Sequence, residues 1–258
     1  MLRFRSLASG SSGNATLIEA GDGPRFTRML VDCGLGQRQL DVRLAQCGLR
    51  ADLLDGIFIT HEHGDHVGSA LAVAARHGVP LWMSAGTRQA LGAAALAGLT
   101  VHLAADSQTL AIGDLRLRPF TVPHDTLEPL QLRCDDGDRV LGILTDLGHV
   151  TPHVLASLAG CHALMLESNH DPDLLGQSRY PPFLQRRIAG PHGHLSNRQA
   201  QDALRLLCHA QLSTVVGAHL SERNNHPPLV QAGFAEVLGC APPEVLLANR
   251  HGLDWLRV

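Results

Sequence analysis

The sequence predicts an α/β protein in which two β-sheets pack face to face between outer layers of helices, a four-layer αββα sandwich. Runs rich in apolar and β-branched residues cluster in the first part of the chain and are followed by helical patterns, and the second part repeats this alternation. The 258 residues are 45% hydrophobic and 17% charged, a composition that suits a globular chain with a substantial core. No linker or low-complexity tract divides the chain, so we predict a single domain over residues 1–258.

The first third of the chain alternates short strands with turn signals. The predicted strands cover residues 2–7, 15–20, 29–33 and 56–60, with Gly-rich turns at 9–14 and 21–24. Leu40, Leu44 and Cys47 share one face of a predicted helix over residues 37–47, which Gly48 ends. The strand at 56–60 runs directly into a histidine-rich segment, and sites in layered α/β folds lie where strands end and loops begin.

The later elements continue the pattern of strands and helices. The predicted helices cover residues 67–77, 88–97, 182–189, 196–210 and 229–237. The predicted strands cover residues 80–83, 163–167, 213–218 and 244–247, and a β-rich stretch from about 100 to 144 has turns at 112–114 and 135–138.

Charge and composition exclude several classes of protein. The formal net charge is −3, so no overall positive field recruits nucleic acid, and phosphate binding must come from a local patch or from bound metal. The chain contains no lysine, which excludes a Schiff-base or lysine-nucleophile mechanism. No stretch of about 20 apolar residues and no signal segment is visible, so we predict a cytoplasmic protein without a membrane anchor. The six cysteines lack C-x-x-C spacing and are expected to be packed, reduced thiols.

The strongest functional signal is the segment Thr60-His61-Glu62-His63-Gly64-Asp65-His66 in a chain with 16 histidines. Four candidate ligands within six residues are too dense for one helix face but suit an extended loop. His61 and His63, two residues apart, point the same way, and Asp65 and His66 can turn toward a second ion. Two ions about 3.5–4 Å apart form a hydrolytic centre. The alternative is a surface loop that happens to be rich in histidine.

This segment resembles the signature of the metallo-β-lactamase superfamily, which implies the metallo-β-lactamase fold. Pro123-His124-Asp125, Thr145-Asp146-Leu147-Gly148 and Ala218-His219-Leu220-Ser221 each follow an apolar run and resemble the remaining ligand positions of the family. The resemblance therefore implies two divalent ions, one held by His61, His63, His124 and Asp146 and the other by Asp65, His66, Asp146 and His219. An aspartate between the ions is expected of phosphodiesterases, nucleases and glyoxalase-like thioesterases rather than of zinc β-lactamases.

The segment Gly193-His194-Leu195-Ser196-Asn197 favours phosphodiester cleavage. It resembles the extra histidine motif of ribonuclease Z and its relatives, where a histidine contacts the scissile phosphate and helps the leaving group depart. Ser196-x-x-Gln199 is also a capping box, so His194 is expected beside a helix N-terminus; in the alternative reading the serine only caps the helix and His194 is incidental.

Segments along nearly the whole chain resemble a bacterial branch regarded as DNA exonucleases of this fold. The resemblance rests on residues 6–14, 167–171, 190–197 and 218–222. The candidate substrate-binding residues are Ser11, Ser12, Asn14, Asn169, His170 and Ser196. The Gly/Ser loop at 9–14 can bind phosphate or simply connect two strands, and His170 can line the pocket or support the metal ligands from behind.

A nucleic-acid or other phosphodiester substrate is expected to be bound through its backbone. The candidate contacts are Arg179, Arg186, Arg187, Arg198 and Arg223, although most of these can equally be solvated helix-face residues. Few aromatic residues are available to stack bases, which predicts weak sequence preference. The stretch between Asp146 and His219 is too short for the extra domain of RNA-processing nucleases, which argues against specific tRNA 3′-processing.

The predicted mechanism is attack on phosphorus by a hydroxide that bridges the two metals, with Asp65 orienting the water or accepting its proton and His194 stabilising the developing charge. Zinc and manganese both suit a nitrogen and oxygen ligand set. The alternative enzyme is a glyoxalase II-like thioester or small-ester hydrolase with the same ligands. A metal-stabilised binding protein without catalysis is the non-enzymatic alternative.

Overall fold

The computed structural model of the chain describes residues 1–22 and 25–258, so the turn predicted at 21–24 falls partly outside the described residues. The strands are β1 (Leu2–Ala8), β2 (Ala15–Ala20), β3 (Thr27–Val31), β4 (Gly56–Phe58), β5 (Leu81–Met83), β6 (Val101–Leu103), β7 (Leu110–Ile112), β8 (Leu115–Thr121), β9 (Leu130–Asp135), β10 (Val140–Leu144), β11 (Ala163–Glu167), β12 (Thr214–Ala218), β13 (Leu246–Leu247) and β14 (Leu256–Arg257).

The helices are α1 (Gln37–Ala45), α2 (Gly64–Val67), α3 (Ala70–His77), α4 (Ala85–Leu91), α5 (Pro152–Leu158), α6 (Pro172–Gly176), α7 (Pro182–Ile188), α8 (Asn197–Leu207) and α9 (Pro227–Leu238), with 3-10 turns at Ala51–Leu53 and Pro242–Glu244. None of the helices in the part of the chain just described is both long and apolar enough to cross a membrane.

The strands form two seven-stranded mixed sheets. The first has the order β14-β1-β2-β3-β4-β5-β6, and the second has the order β13-β12-β11-β10-β9-β8-β7. In the first sheet β3 and β4 are parallel, and in the second β10, β11 and β12 are parallel to one another. Parallel neighbours end at the same edge, so side chains that follow these strands are brought close together.

Three separate apolar clusters fill the interfaces of the predicted four layers. The cluster between the sheets joins Phe4 and Met29 of the first sheet to Leu132 and Met165 of the second. A second cluster packs the other face of the first sheet against α1 and α3, and a third packs the second sheet against α5, α8 and α9. The αββα sandwich is therefore confirmed, with helices on both outer faces.

Two predicted helices differ from those observed because glycines interrupt them. The helix predicted over 88–97 lies at Ala85–Leu91, since Ser84 Oγ accepts a hydrogen bond from the Thr87 N–H and Gly92, with φ of 81°, ends it. The helix predicted over 67–77 is divided into α2 and α3 at Gly68, whose φ is 39°.

Two short helices escaped the sequence analysis although their starting signals are present. Thr151 and Asp171 cap the first turns of α5 and α6 with their side-chain oxygens, and a proline follows each cap. Both helices are too short to show apolar periodicity, so the sequence pattern does not predict them.

Candidate metal centre

The histidine-rich loop after β4 is fixed by backbone contacts to the loops that follow β1 and β3. The carbonyl of Asp65 accepts a hydrogen bond from Asn14 N at 2.8 Å, and the carbonyl of His66 accepts one from Cys33 N at 2.8 Å. A Cβ at Gly34 would lie 1.7 Å from the Asp65 oxygen, so only glycine permits this approach. Asp65 and His66 lie in the short helix α2 rather than in extended backbone as predicted.

Three histidines converge at the first part of the site. The Nε2 atoms of His61 and His124 lie 3.1 and 3.3 Å from Nδ1 of His63. On the far side of its ring, His124 Nδ1 can donate to the Gly193 carbonyl at 3.1 Å, and His61 Nδ1 lies 3.0 Å from Thr60 Oγ1. Burial lowers the pKa of His61 well below its ordinary value and also lowers the pKa of His124. Both rings are therefore neutral, the form that binds metal.

A second group consists of Asp65, His66 and His219, with Asp146 beside it. His66 Nε2 lies 3.2 Å from Asp146 Oδ2, and Nε2 of both His66 and His219 lies 3.7 Å from Asp65 Oδ2. Within the described residues, the buried atoms Asp146 Oδ2 and His219 Nε2 have no hydrogen-bond partner. Unpaired buried polar atoms are costly, so their presence among potential ligands indicates that a cation belongs here.

Asp146 lies close enough to both groups to join them. Three overlapping groups each place one ligand atom per residue within 4.8 Å of one another. They are His61, His63 and His124; His61, His66 and Asp146; and Asp65, His66 and His219. The residues that the sequence analysis assigned to two metal positions are thus brought together in one contiguous cluster at the edge where the strands end.

The buried carboxylate of Asp32 lies behind His66, a candidate ligand that follows a strand of the first sheet. Its Oδ2 accepts a hydrogen bond from His66 Nδ1 at 2.8 Å, and its Oδ1 accepts one from the Thr60 N–H at 2.9 Å. Burial lowers the pKa of His66, but the charges of Asp146 and Asp32 outweigh burial and raise this pKa well above its ordinary value. The hydrogen bond to Asp32 leaves Nε2 of His66 directed toward the candidate site.

Glu167, which is fully buried, lies behind His219, a candidate ligand that follows a strand of the second sheet. Its Oε1 lies 2.8 Å from His194 Nδ1 and 3.1 Å from His219 Nδ1, and its Oε2 accepts from the N–H groups of Leu147 and Leu195. Burial raises the pKa of Glu167, but the positive potential and hydrogen bonds of the two histidines lower it to about 2. Against the effect of its own burial, Asp146 and Glu167 raise the pKa of His219 to about 10.

The backbone at three of these positions adopts the left-handed conformation that non-glycine residues seldom take. Asp32, Asp146 and His219 have φ values of 59°, 54° and 53°. Asp32 and His219 immediately follow β3 and β12, and Asp146 lies two residues beyond the end of β10. Such strained positions cluster at functional sites.

A cavity of about 290 Å³ opens beside the cluster. Asp65, Asp146, His194 and His219 contribute to its lining, together with Ser11 and Asn169. His194 therefore lies where a group bound at the cluster would be within reach.

The other predicted substrate-binding residues are not part of the lining of this cavity. Ser12 is exposed, and Asn14 is buried with Nδ2 3.1 Å from His66 Nε2 and 3.4 Å from Asp65 Oδ2. His170 is buried and lines a separate cavity with residues of α6 and α7. Ser196 forms the predicted capping box with Gln199 at the start of α8.

Asp32 and Glu167 were not predicted to contribute to the site, although a signal was available for both. Asp32 directly follows the largely buried strand β3 and Glu167 is the last residue of the buried strand β11, a setting similar to the one that singled out Asp146 and His219. Of the predicted arginine contacts, Arg187 lines the cavity and its guanidinium pairs with Asp125.

Comparison with known proteins agrees with this architecture. The family model described as "Beta-lactamase superfamily domain" matches residues 27–219. The chain is 31% identical over 241 residues to Exodeoxyribonuclease YycJ of Bacillus anthracis, a match that covers 92% of this chain and 89% of the relative. It is 30% identical over 227 residues to Exodeoxyribonuclease WalJ of Streptococcus pneumoniae, covering 86% and 83%. The crystal structure of the metallo-beta-lactamase fold protein YhfI from Bacillus subtilis superposes with a TM-score of 0.73 at 14% identity over 100% of both chains.

Proposed function

The chain belongs to the metallo-β-lactamase superfamily, and from that premise we propose that it is a metal-dependent phosphodiesterase that acts on nucleic acid as a DNA exonuclease. The whole chain, residues 1–258, would act as one domain. The observation that carries the proposal is the cluster of site-facing histidine nitrogens and carboxylate oxygens beside a cavity that also contains His194. The similarity to two exodeoxyribonucleases over most of the chain supports DNA as the substrate.

The residues present fit a pair of divalent ions. His61, His63, His124 and Asp146 would hold one ion, and Asp65, His66, Asp146 and His219 would hold the other, with zinc and manganese both suited to this ligand set. When bound, such a pair neutralises phosphate charge and lowers the pKa of water toward neutrality. The unpaired atoms Asp146 Oδ2 and His219 Nε2 would receive their partner in this state.

Asp65 is placed to handle the proton of the attacking water. It is partly exposed and lines the cavity, and its carboxylate accepts a hydrogen bond from Asn14, whose Nδ2 lies 3.4 Å from Asp65 Oδ2. The pKa of Asp65 is lowered, because the attraction of the neighbouring His219 and His66 rings outweighs burial, so the carboxylate is ionised at neutral pH and can accept a proton.

His194 is placed to act on the leaving group. Its Nδ1 donates to Glu167 Oε1 at 2.8 Å, which directs Nε2 away from the carboxylate. A proton on Nε2 can be donated to a phosphate oxygen or to the departing oxygen, and the hydrogen bond to Glu167 holds the ring in the orientation that this requires.

The proposal is tested by assaying end-labelled single- and double-stranded DNA with Mn²⁺ and with Zn²⁺, beside bis-p-nitrophenyl phosphate and a glutathione thioester. We expect DNA hydrolysis, and we expect His63→Ala and Asp65→Ala to abolish it while leaving the circular dichroism spectrum unchanged. Asp52→Ala removes an acidic side chain that, among the described residues, forms its salt bridge with Arg50 on the surface, and this variant serves as the matched control. Near-normal DNA cleavage by Asp65→Ala, or turnover of the thioester alone, would refute the assignment.

A further inference from the structure

The apolar side chains that line the cavity all come from one short segment of the chain. Tyr180 precedes α7, and Leu184 and Ile188 lie four residues apart on that helix, while the other lining residues are polar or glycine. Residues four apart share a helix face, so α7 presents an apolar strip to the cavity. The cavity therefore combines a charged ligand cluster with one apolar wall.

Helix α7 buries few of its side chains against the rest of the protein. No residue of α7 is buried, and Phe183 exposes 66% of its surface. This exposed aromatic side chain, on the helix that lines the cavity, leaves a ring face open to a bound molecule.

Positive charge accompanies the aromatic side chains. The guanidinium carbon of Arg223 lies 5.8 Å from the centre of the Tyr180 ring, and Arg187 lines the same cavity. Arg223 and Arg186 are exposed and form no salt bridge within the described residues. A molecule that contacts both this apolar wall and the candidate metal-binding cluster would carry a flat apolar group next to an anionic one.

We propose that Tyr180 and Phe183 are a stacking surface for the bases at the end of a DNA strand whose scissile phosphate lies at the ligand cluster. Tyr180, in the cavity lining, takes the terminal base, and Phe183, exposed outside it, takes the neighbouring base. The inference rests on the proposed function and adds base stacking to the backbone contacts that the sequence predicts. Every base has a π-face, so stacking tolerates any sequence, and the arginines contact the phosphates.

The experiment measures equilibrium binding by fluorescence anisotropy. The probes are fluorescein-labelled phosphorothioate oligonucleotides, either intact or with abasic analogues at the last two positions of one end, prepared for each end separately. The metal-loaded protein is compared with Tyr180→Leu and Phe183→Leu, which keep apolar volume without a ring, and with Tyr180→Phe, which keeps the ring. Leu206→Ala is the matched control, because Leu206 is 69% exposed on α8 and lies outside the cavity lining.

We expect the wild-type protein to prefer one intact end over its abasic form by roughly 30-fold or more, because each of the two stacked bases contributes about fivefold. Tyr180→Leu and Phe183→Leu should reduce this preference, whereas Tyr180→Phe and Leu206→Ala should retain it. If the wild-type protein cleaves DNA but shows no preference, or if both leucine variants keep the full preference, the stacking inference is wrong and the proposed function stands. If the wild-type protein neither binds nor cleaves DNA, both are wrong.

Discussion

The two sheets support their candidate metal-binding histidines in different ways. In the first sheet the buried carboxylate of Asp32 accepts a hydrogen bond from a single ring, that of His66. In the second sheet Glu167 lies within hydrogen-bond distance of two rings, His219 and His194. The first carboxylate thus serves a candidate metal ligand only, whereas the second connects a candidate ligand to the histidine proposed to act on the leaving group.

This difference separates metal binding from proton transfer. A change at Asp32 should weaken the metal centre and leave proton donation by His194 intact. A change at Glu167 should affect both, because one oxygen orients both rings.

Glu167→Ala should cause the largest loss. It leaves His219 and His194 without their buried acceptor, so we expect metal affinity to fall roughly 10- to 100-fold and kcat to fall by about 10²–10⁴ even with saturating metal. Metal content by atomic absorption and DNA hydrolysis measure the two effects. Glu167→Gln retains one carbonyl acceptor and should lie between the wild type and the alanine variant; equal kcat for all three at saturating metal would remove the asymmetry.

His194→Ala should reproduce only the catalytic part of that loss. We expect kcat for DNA to fall by about 10²–10⁴, because the leaving oxygen loses its proton donor, while two ions still bind per chain. Substrates with a p-nitrophenolate leaving group need less protonation and should be affected less. A fall in metal content as large as that of Glu167→Ala would show that His194 is instead a metal ligand.

Asp32→Ala should affect metal affinity alone. Without its acceptor the His66 ring is no longer held, so we expect a loss of roughly 10- to 100-fold in affinity for one ion and recovery of kcat at high metal concentration. Asp32→Asn is the matched control, since asparagine tolerates the φ of 59° and keeps an acceptor oxygen. Failure of excess metal to restore the rate of the alanine variant would contradict this role.

His170 is a buried histidine that no carboxylate supports in this way, because its Nδ1 has no hydrogen-bond partner among the described residues. It gives the smallest expected effect. Burial lowers its pKa from 6.5 to about 4. Stability from this depressed pKa is fully present above pH 6.5 and is lost as the pH falls toward 4. We expect the free energy of unfolding to fall by roughly 3 kcal/mol across this range. In denaturant unfolding, the free energy of unfolding of His170→Asn should depend less on pH than that of the wild type. An unchanged pH dependence would contradict the assignment of this effect to His170.

The sequence predicted the layered fold well because its strands carry their own signals. Apolar runs bounded by turn residues located β1, β2 and β11 within one residue of their observed ends. Helices that depend on capping, such as α5, were missed, and α4 was placed too late because Ser84 and Gly92 decide its bounds rather than its apolar residues.

Within the candidate site, only the residues that could bind metal directly were predictable from the sequence. Histidines and aspartates that follow strands stand out in the sequence, and the structure brings them together. Asp32 and Glu167 act through other side chains, and no spacing in the sequence shows which ring a distant carboxylate will meet. The aromatic wall formed with Tyr180 was missed for a similar reason, since it depends on where α7 lies relative to the cavity.

The left-handed backbone at Asp32, Asp146 and His219 limits how this centre could be transplanted. An engineer who copied the same side chains onto the ends of ordinary strands would direct them elsewhere, because a left-handed residue turns the chain sharply at the point where its side chain departs. A successful graft would have to carry the turns and the surrounding packing as well. The smallest portable unit is therefore the rim of both sheets, and not a set of seven amino acids.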